Sequence, residues 1–284
     1  MTRYLKKNEN NISVVIPTLN NRSQFLNEAL NSIKNQTYKP LEVIIVNNGN
    51  SDLELNDFSF TIKKFKIKYK SGVSKARNFG ASHASSEFIA FLDDDDLWPS
   101  EYLSVMKNYI EQQKPDCLIA SLSKLKDGKI SDYKNIDGVI NKDIILTENP
   151  GITGSSVVVR KKIFFRVGGY NTKLITGEDK SLILEFINNN SNIIIVPETK
   201  AIHREHYKDI RLSNVENMAK GVILFYKEYS SQMNTVQKLD NLYKIKKYNW
   251  AVKKTFINGV NYLFFLAYFF LKNILKKLLS KKIN

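Results

Sequence analysis

The sequence predicts an α/β protein: a Rossmann-like, mostly parallel sheet flanked by helices, followed by a helical C-terminal extension. Three observations carry this. Short β-branched runs end at turn residues, at 12–17, 41–46 and 88–92. Segments with helical spacing lie between them, and strand–helix–strand alternation argues for a parallel sheet. Beyond Asn214 the pattern changes to long, lysine-rich helices.

The elements follow in order. Ile12-Ser13-Val14-Val15-Ile16-Pro17 reads as a buried first strand stopped by proline. From Asn20 to Gln36, Phe25, Leu26, Ala29, Leu30 and Ile33 recur at the helical period. Leu41 to Val46 is a second buried strand, closed by the turn Asn47-Asn48-Gly49-Asn50. Val73 to Ser82 holds a helix, and Phe88 to Leu92 is a strand running into four aspartates. In open α/β sheets ligands sit beyond the carboxyl ends of the strands. Thr18-Leu19-Asn20, the stretch Asn47 to Asp52 and the stretch Asp93 to Asp96 all fall there. Further on, the polar Lys124 to Gly138 stretch reads as loops and Ser155 to Val159 as a strand. Glu178 to Asn188 reads as a helix, and Ile193 to Val196 as a strand closed by Pro197. The domain division expected is 1–213 for the α/β domain and 214–284 for the extension.

Composition narrows the function classes. The chain has 284 residues and a net charge of +15. Its single cysteine, Cys117, excludes a disulfide framework within the chain and any cysteine-rich zinc site. From Lys238 to Asn284 there are 11 lysines and one acid, Asp240. Gly259 to Leu271 is apolar and aromatic, shorter than the roughly 20 residues of a bilayer span. Lysines bracket it at Lys253, Lys254 and Lys272, and an amphipathic stretch of Ile274, Leu275, Leu278 and Leu279 follows. Extended back to Phe256 the segment could just span, and a helix packed on the α/β domain is the other alternative, but the pattern suits better a helix lying on an anionic membrane surface. Met1 to Asn11 lacks the apolar core of a signal peptide, so the expected location is cytoplasmic, peripheral on the inner face of the cell membrane. Nucleic-acid binding predicts aromatics interleaved with Lys and Arg; here the aromatics gather in an apolar segment, and no nucleic-acid partner is expected.

The segment Phe91-Leu92-Asp93-Asp94-Asp95-Asp96-Leu97-Trp98-Pro99 carries the most chemistry. Four adjacent carboxylates repel one another unless a cation neutralises them. In extended backbone Asp93 and Asp95 share one side and Asp94 and Asp96 the other. A carboxylate pair with phosphate as co-ligand makes a Mg²⁺ or Mn²⁺ site.

The motif order resembles the family 2 glycosyltransferases with a GT-A fold, of the bacterial cell-surface polysaccharide or lipopolysaccharide type. The resemblance rests on the stretches 14–22, 36–38, 42–46, 72–81 and 93–99, and spans about residues 11–213. It implies that Thr18, Asn20 and Arg22 hold the nucleotide together with Asn47 to Asp52; Asn47 stands where the family usually has an acid, and UDP is the first expectation. It places Arg77 on the diphosphate. Asp93 and Asp95 become the metal pair, for Mn²⁺ or Mg²⁺, with Asp93 also on the donor side. Gly168-Gly169-Tyr170-Asn171 and Gly177-Glu178-Asp179 resemble the acceptor half, with Asp179 as general base and Glu178 beside it. In His203-Arg204-Glu205-His206, His206 completes the metal shell or touches diphosphate. Trp98 packs near the donor pocket.

The implied activity is inverting transfer of a sugar from a nucleotide-sugar donor to a hydroxyl of a membrane-associated glycan or glycolipid acceptor. Two other readings remain at this point: a catalytically degenerate nucleotide-sugar-binding protein of the same fold, which Asn47 favours, and a nucleotidyltransferase, which would not need the acceptor motif.

Overall fold

The computed structural model describes residues 11–19, 23–134, 136, 138, 140–205 and 214–254, and within the C-terminal stretch 260, 262–264, 266–268 and 270. The chain divides into two compact units: residues 1–145, 149–172 and 178–207 form one, and residues 146–148, 173–177 and 208–284 the other.

The first unit is built on a mixed sheet. Its strands are β1 (Ile12–Thr18), β2 (Glu42–Asn47), β3 (Ile62–Lys66), β4 (Phe88–Phe91), β5 (Cys117–Lys126), β6 (Lys129–Lys134), β7 (Val157–Arg160) and β8 (Ile193–Arg204). The order is β3-β2-β1-β4-β7-β5-β6, with β8 on β5. β3, β2, β1 and β4 run parallel, with Val14 opposite Val43 and Ala90. β7 is antiparallel to both β4 and β5, and β8 is parallel to β5. β1, β2 and β4 are buried along their whole lengths, as near-continuous apolar runs require when helices cover both faces.

The helices are α1 (Ser23–Lys34), α2 (Val73–His83), α3 (Tyr102–Gln113), α4 (Lys142–Thr147), α5 (Lys161–Arg166) and α6 (Glu178–Asn188). α1 buries Leu26, Ala29, Leu30 and Ile33, the stripe its spacing predicts. α2 approaches β1 and β2 closely at Gly80, where a Cβ would come 3.1 Å from Val46 Cγ2 and still closer to Val15. The core gathers Val14, Ile16, Leu30, Val43, Phe88, Trp98, Tyr102, Met106 and Leu118. Cys117, first residue of β5, is fully buried.

Three departures from the sequence expectation have physical causes. The stretch expected to be loops contains a hairpin: β5 turns into β6 through Asp127 and Gly128, both at positive φ (49° and 74°). Asp-Gly is a strong two-residue hairpin signal, and strand length here overrides polarity. Pro197 does not end β8. The register shifts between the Val196 and Lys200 pairings, so the chain bulges over Pro197 and continues to Arg204. The third departure is β3, whose three lysines around Ile62 and Phe65 break the strand alternation and hid a strand at the end of the path.

The second unit holds α7 (Val215–Tyr229) and α8 (Thr235–Val252), helices as expected beyond Asn214. Each starts at an asparagine cap. Asn214 accepts from the Asn217 N–H, and Asn234 and Gln237 exchange a reciprocal capping box. Asn241, 1% exposed, donates to the carbonyls of Leu146 (3.0 Å) and Gln237 (2.9 Å). Trp250 stacks on Tyr262 with centroids 5.3 Å apart. Leu263, Phe264 and Phe270 are exposed by 61–72%. Among the described residues no helix is long and apolar enough to cross a membrane. Gly259 and Leu271, which bound the apolar segment read from the sequence, and the lysine pairs beyond it lie outside the described residues.

Candidate active site

The acidic loop leaves β4 at the carboxyl end of the parallel strands. The Asp96 N–H donates to the Asp93 carbonyl at 3.2 Å, making a turn. Asp94 and Asp96 are buried (4% and 1% exposed), whereas Asp93 and Asp95 are partly exposed. The alternation expected of a strand is thus present, produced by a turn. Asp94 Oδ2 accepts from Thr18 Oγ1 at 2.7 Å and from the Leu19 N–H at 3.4 Å. Asp96 accepts from Ser155 Oγ at 2.6 Å and from the Arg204 N–H at 2.9 Å, and His203 Nδ1 lies 3.2 Å from its Oδ1. Burial pushes the His203 pKa down, but the hydrogen bond to Asp96 and the charges of Asp96, Asp95 and Asp93 outweigh it, and the net shift is upward. The two inward carboxylates are therefore structural, and Asp93 and Asp95 are the pair turned towards the partly exposed side.

Arg77, on α2, is 2% exposed. Its Nη2 is 2.5 Å from Asp93 Oδ1, and its Nη1 lies 3.2 Å from Glu178 Oε1 and 3.1 Å from Asp179 Oδ1. The guanidinium sits over the Tyr170 ring, 4.9 Å from its centroid. Room for it comes from Gly154, where a Cβ would stand 2.7 Å from Arg77 Cζ. The expectation for Arg77 was a diphosphate contact; the structure places its buried guanidinium among three carboxylates, of which Glu178 is buried and Asp93 and Asp179 are partly exposed, and this one cation offsets part of their repulsion. Burial pushes the Asp179 carboxyl well above the usual range; Arg77 pulls it down, while Glu178 and Asp93 push it up. Glu178 and Asp93 are raised by the same balance, with burial foremost.

The Gly168-Gly169-Tyr170-Asn171 stretch is fastened to α2. Asn78 accepts from the Tyr170 N–H and donates to the Tyr170 carbonyl, both at 2.9 Å. Gly169 has φ 67°, and a Cβ there would come 2.8 Å from Asn78 Oδ1, so glycine is needed twice over.

Asn47, expected in the turn after the second strand, is the last residue of β2, and both ends of its amide hold the turn that follows. Oδ1 accepts from the Gly49 N–H at 2.8 Å, and Nδ2 donates to the Ser51 carbonyl at 2.7 Å. Thr18 is likewise occupied with Asp94. Trp98 is core, stacked on Tyr102 at 4.5 Å, with its Nε1 donating to the Ser155 carbonyl. Asn20, Arg22 and His206, assigned to the nucleotide and the metal, lie outside the described residues.

Sequence reasoning passed over three contributors: Gly154, Ser155 and His203. Ser155 Oγ accepts from the Asp93 N–H and donates to Asp96, tying the 3-10 turn at 154–156 to the acidic loop. The small-residue run Gly151-Ile152-Thr153-Gly154-Ser155-Ser156 was its available signal. His203 belonged to a run already singled out, with attention on His206.

Comparison with known proteins places this geometry. An uncharacterised glycosyltransferase of Rickettsia conorii is 36% identical over 110 residues, covering 37% of this chain and 18% of that protein. The GalNAc(5)-diNAcBac-PP-undecaprenol beta-1,3-glucosyltransferase of Campylobacter jejuni is 36% identical over 132 residues, 42% of each chain. The chain thus spans well under two thirds of these relatives' lengths. The glycosyltransferase GlyG of Streptococcus pneumoniae is 23% identical over 258 residues, 86% of this chain and 73% of that one. S. aureus TarS 1–349, solved in complex with UDP-GlcNAc, superposes with a TM-score of 0.59 at 18% identity, over 90% of this chain and 79% of that one. That likeness gives the fold, the mixed, mostly parallel sheet flanked by helices of the GT-A type. The model of glycosyl transferase family 2 matches residues 13–168, more than half of the sequence, and the chain belongs to that family.

Proposed function

We propose that this protein is an inverting glycosyltransferase that moves a sugar from a nucleotide-sugar donor, with UDP as the first choice of nucleotide, to a hydroxyl of a membrane-associated glycan or glycolipid. The observation that carries the reading is the meeting of Asp93, from the donor-side loop, with Glu178 and Asp179, from the acceptor motif, on one guanidinium. Of the acceptor-side pair, Asp179 is the more exposed (16% against 9%) and is the better general base. Its carboxylate takes the proton of the acceptor hydroxyl as that oxygen attacks the anomeric carbon; the bond from that carbon to the diphosphate breaks, and configuration inverts. No covalent enzyme intermediate is needed.

The donor set fits a hard divalent cation, Mg²⁺ or Mn²⁺. Asp93 and Asp95 offer carboxylate oxygens on the open side of the turn, and among the described residues no group of three His, Cys, Asp or Glu gathers for a fully protein-bound metal. Phosphate oxygens and water would complete such a shell. A cation held there would neutralise charge on the leaving diphosphate. The UDP-GlcNAc complex of the TarS neighbour supports a UDP-sugar donor, and the name of the Campylobacter relative supports a lipid-linked acceptor. The exposed Leu263, Phe264 and Phe270, in a lysine-rich region, support contact with an anionic membrane surface.

The test is UDP release from a panel of nucleotide sugars, with Mn²⁺ or with EDTA, on wild type, Asp95→Ala and Asp179→Asn. Metal-dependent release lost in both variants is expected. No release from any donor, even with a lipid extract as acceptor, would overturn the enzymatic reading. UDP binding without turnover would move the assignment to a catalytically degenerate nucleotide-sugar-binding protein of the same fold.

A further inference from the structure

We propose that Arg77 is a positioning residue: its guanidinium holds the donor-side carboxylate of Asp93 and the acceptor-side carboxylates of Glu178 and Asp179 in one fixed relation. The inference deepens the glycosyltransferase reading above and rests on it for the roles of the acids.

Three segments far apart in sequence meet here. Arg77 lies 16 residues before Asp93 and 101 and 102 residues before Glu178 and Asp179. Each terminal nitrogen serves a different side. Nη2 takes Asp93 at 2.5 Å, and Nη1 takes Glu178 and Asp179 at 3.2 and 3.1 Å. Among the described residues no other Lys, Arg or His pairs with these three carboxylates. A group 2% exposed, with both terminal nitrogens engaged, reaches a diphosphate only by giving up a carboxylate partner, which is costly for a buried acid such as Glu178. The surroundings fix the fork as well: Tyr170 lies beneath it, and any Cβ at position 154 would stand in its place. Arg77 Nε is buried without a hydrogen-bond partner among the described residues, so the site uses the two terminal nitrogens and tolerates an unsatisfied third. That choice suits a bridge between two carboxylate-bearing segments. A lysine carries the charge but not the planar fork, and joins the two sides poorly.

The experiment compares wild type with Arg77→Lys, which keeps the charge and avoids leaving the three acids without a cation. Donor KM, transfer kcat and UDP affinity in the presence of Mn²⁺ are measured. The expected result is a kcat lower by roughly 10- to 100-fold, the scale of a misplaced reacting group, with donor KM and UDP Kd within about threefold of wild type. A UDP Kd weakened tenfold or more with kcat little changed would make Arg77 a phosphate ligand and overturn the proposal, as would an unchanged kcat. An arm that needs no turnover separates failure of this inference from failure of the enzymatic reading. Unfolding by urea is measured for Asp93→Asn, Asp179→Asn and the double variant, in wild type and in Arg77→Lys. Effects that are non-additive beside Arg77 and closer to additive beside lysine support the bridge; additive effects in both overturn it. If wild type releases no UDP from any donor, the enzymatic reading falls and this arm alone decides the bridge.

Discussion

Thr18 Oγ1 donates to Asp94 Oδ2 at 2.7 Å, joining the carboxyl end of β1 to the acidic loop that leaves β4. Both residues are 4% exposed, so this aspartate belongs to the frame of the loop. Thr18→Val keeps the shape and removes the donor, so the buried carboxylate loses its 2.7 Å hydrogen bond and keeps the longer one from the Leu19 N–H at 3.4 Å. A loss of about 1–3 kcal/mol in urea unfolding is expected. A loss under about 0.5 kcal/mol would mean that water reaches Asp94.

Gly154→Ala introduces a Cβ 2.7 Å from Arg77 Cζ. The guanidinium is held on several sides, so the variant must displace it. The expected cost is about 1–3 kcal/mol of stability, as for overpacking a core, together with lower transfer activity. A variant with wild-type stability and rate would show that the cluster gives way freely.

Asp179 has its pKa raised in the folded state, with burial as the main cause. A carboxyl that holds its proton more tightly when folded favours folding at low pH. That advantage is complete below the ordinary carboxylate pKa and disappears as pH rises through the higher folded value. Asp179→Asn removes the ionisation and one member of the repelling trio, while Arg77 keeps Asp93 and Glu178. The variant is therefore expected to have a higher Tm than wild type at pH 7, and a smaller or no advantage at pH 4, while losing transfer. A lower Tm at pH 7 would show that the ion pair with Arg77 outweighs the repulsion.

Binding to the membrane surface is predicted to combine charge with apolar insertion. Vesicles containing anionic lipid should sediment the protein and neutral vesicles should do so weakly, and raising salt from about 0.1 to 1 M should release much of it as the Debye length shrinks. Leu263→Ser combined with Phe264→Ser should weaken binding even at low salt. Equal binding to neutral vesicles at all salt concentrations would remove the electrostatic part.

What could be read from the sequence follows from how local each signal is. The strand–turn signals at Pro17 and at Asn47 to Asn50, and the apolar stripe of α1, need no tertiary information, and those elements stand where they were expected. The β5–β6 hairpin was legible in Asp127-Gly128, but polarity was given more weight than turn chemistry. The continuation of β8 past Pro197 was not legible, because a bulge depends on the partner strand. The same division holds at the site. That Asp93 and Asp95 lie outward and Asp94 and Asp96 inward was foreseeable from parity, although a turn delivers it. That Arg77 would face three acids was not, because two of them lie about a hundred residues away, and a buried arginine looks like any other in one dimension.

The buried thiol at the head of β5 has a practical consequence. Cys117 is the chain's single cysteine, and burial pushes its pKa far above the range where thiols react. A maleimide should leave the native protein unlabelled and mark it as soon as the centre of the sheet opens. The protein thus carries a built-in reporter of global unfolding, and a second cysteine introduced on the surface can be labelled selectively with the native one left in place.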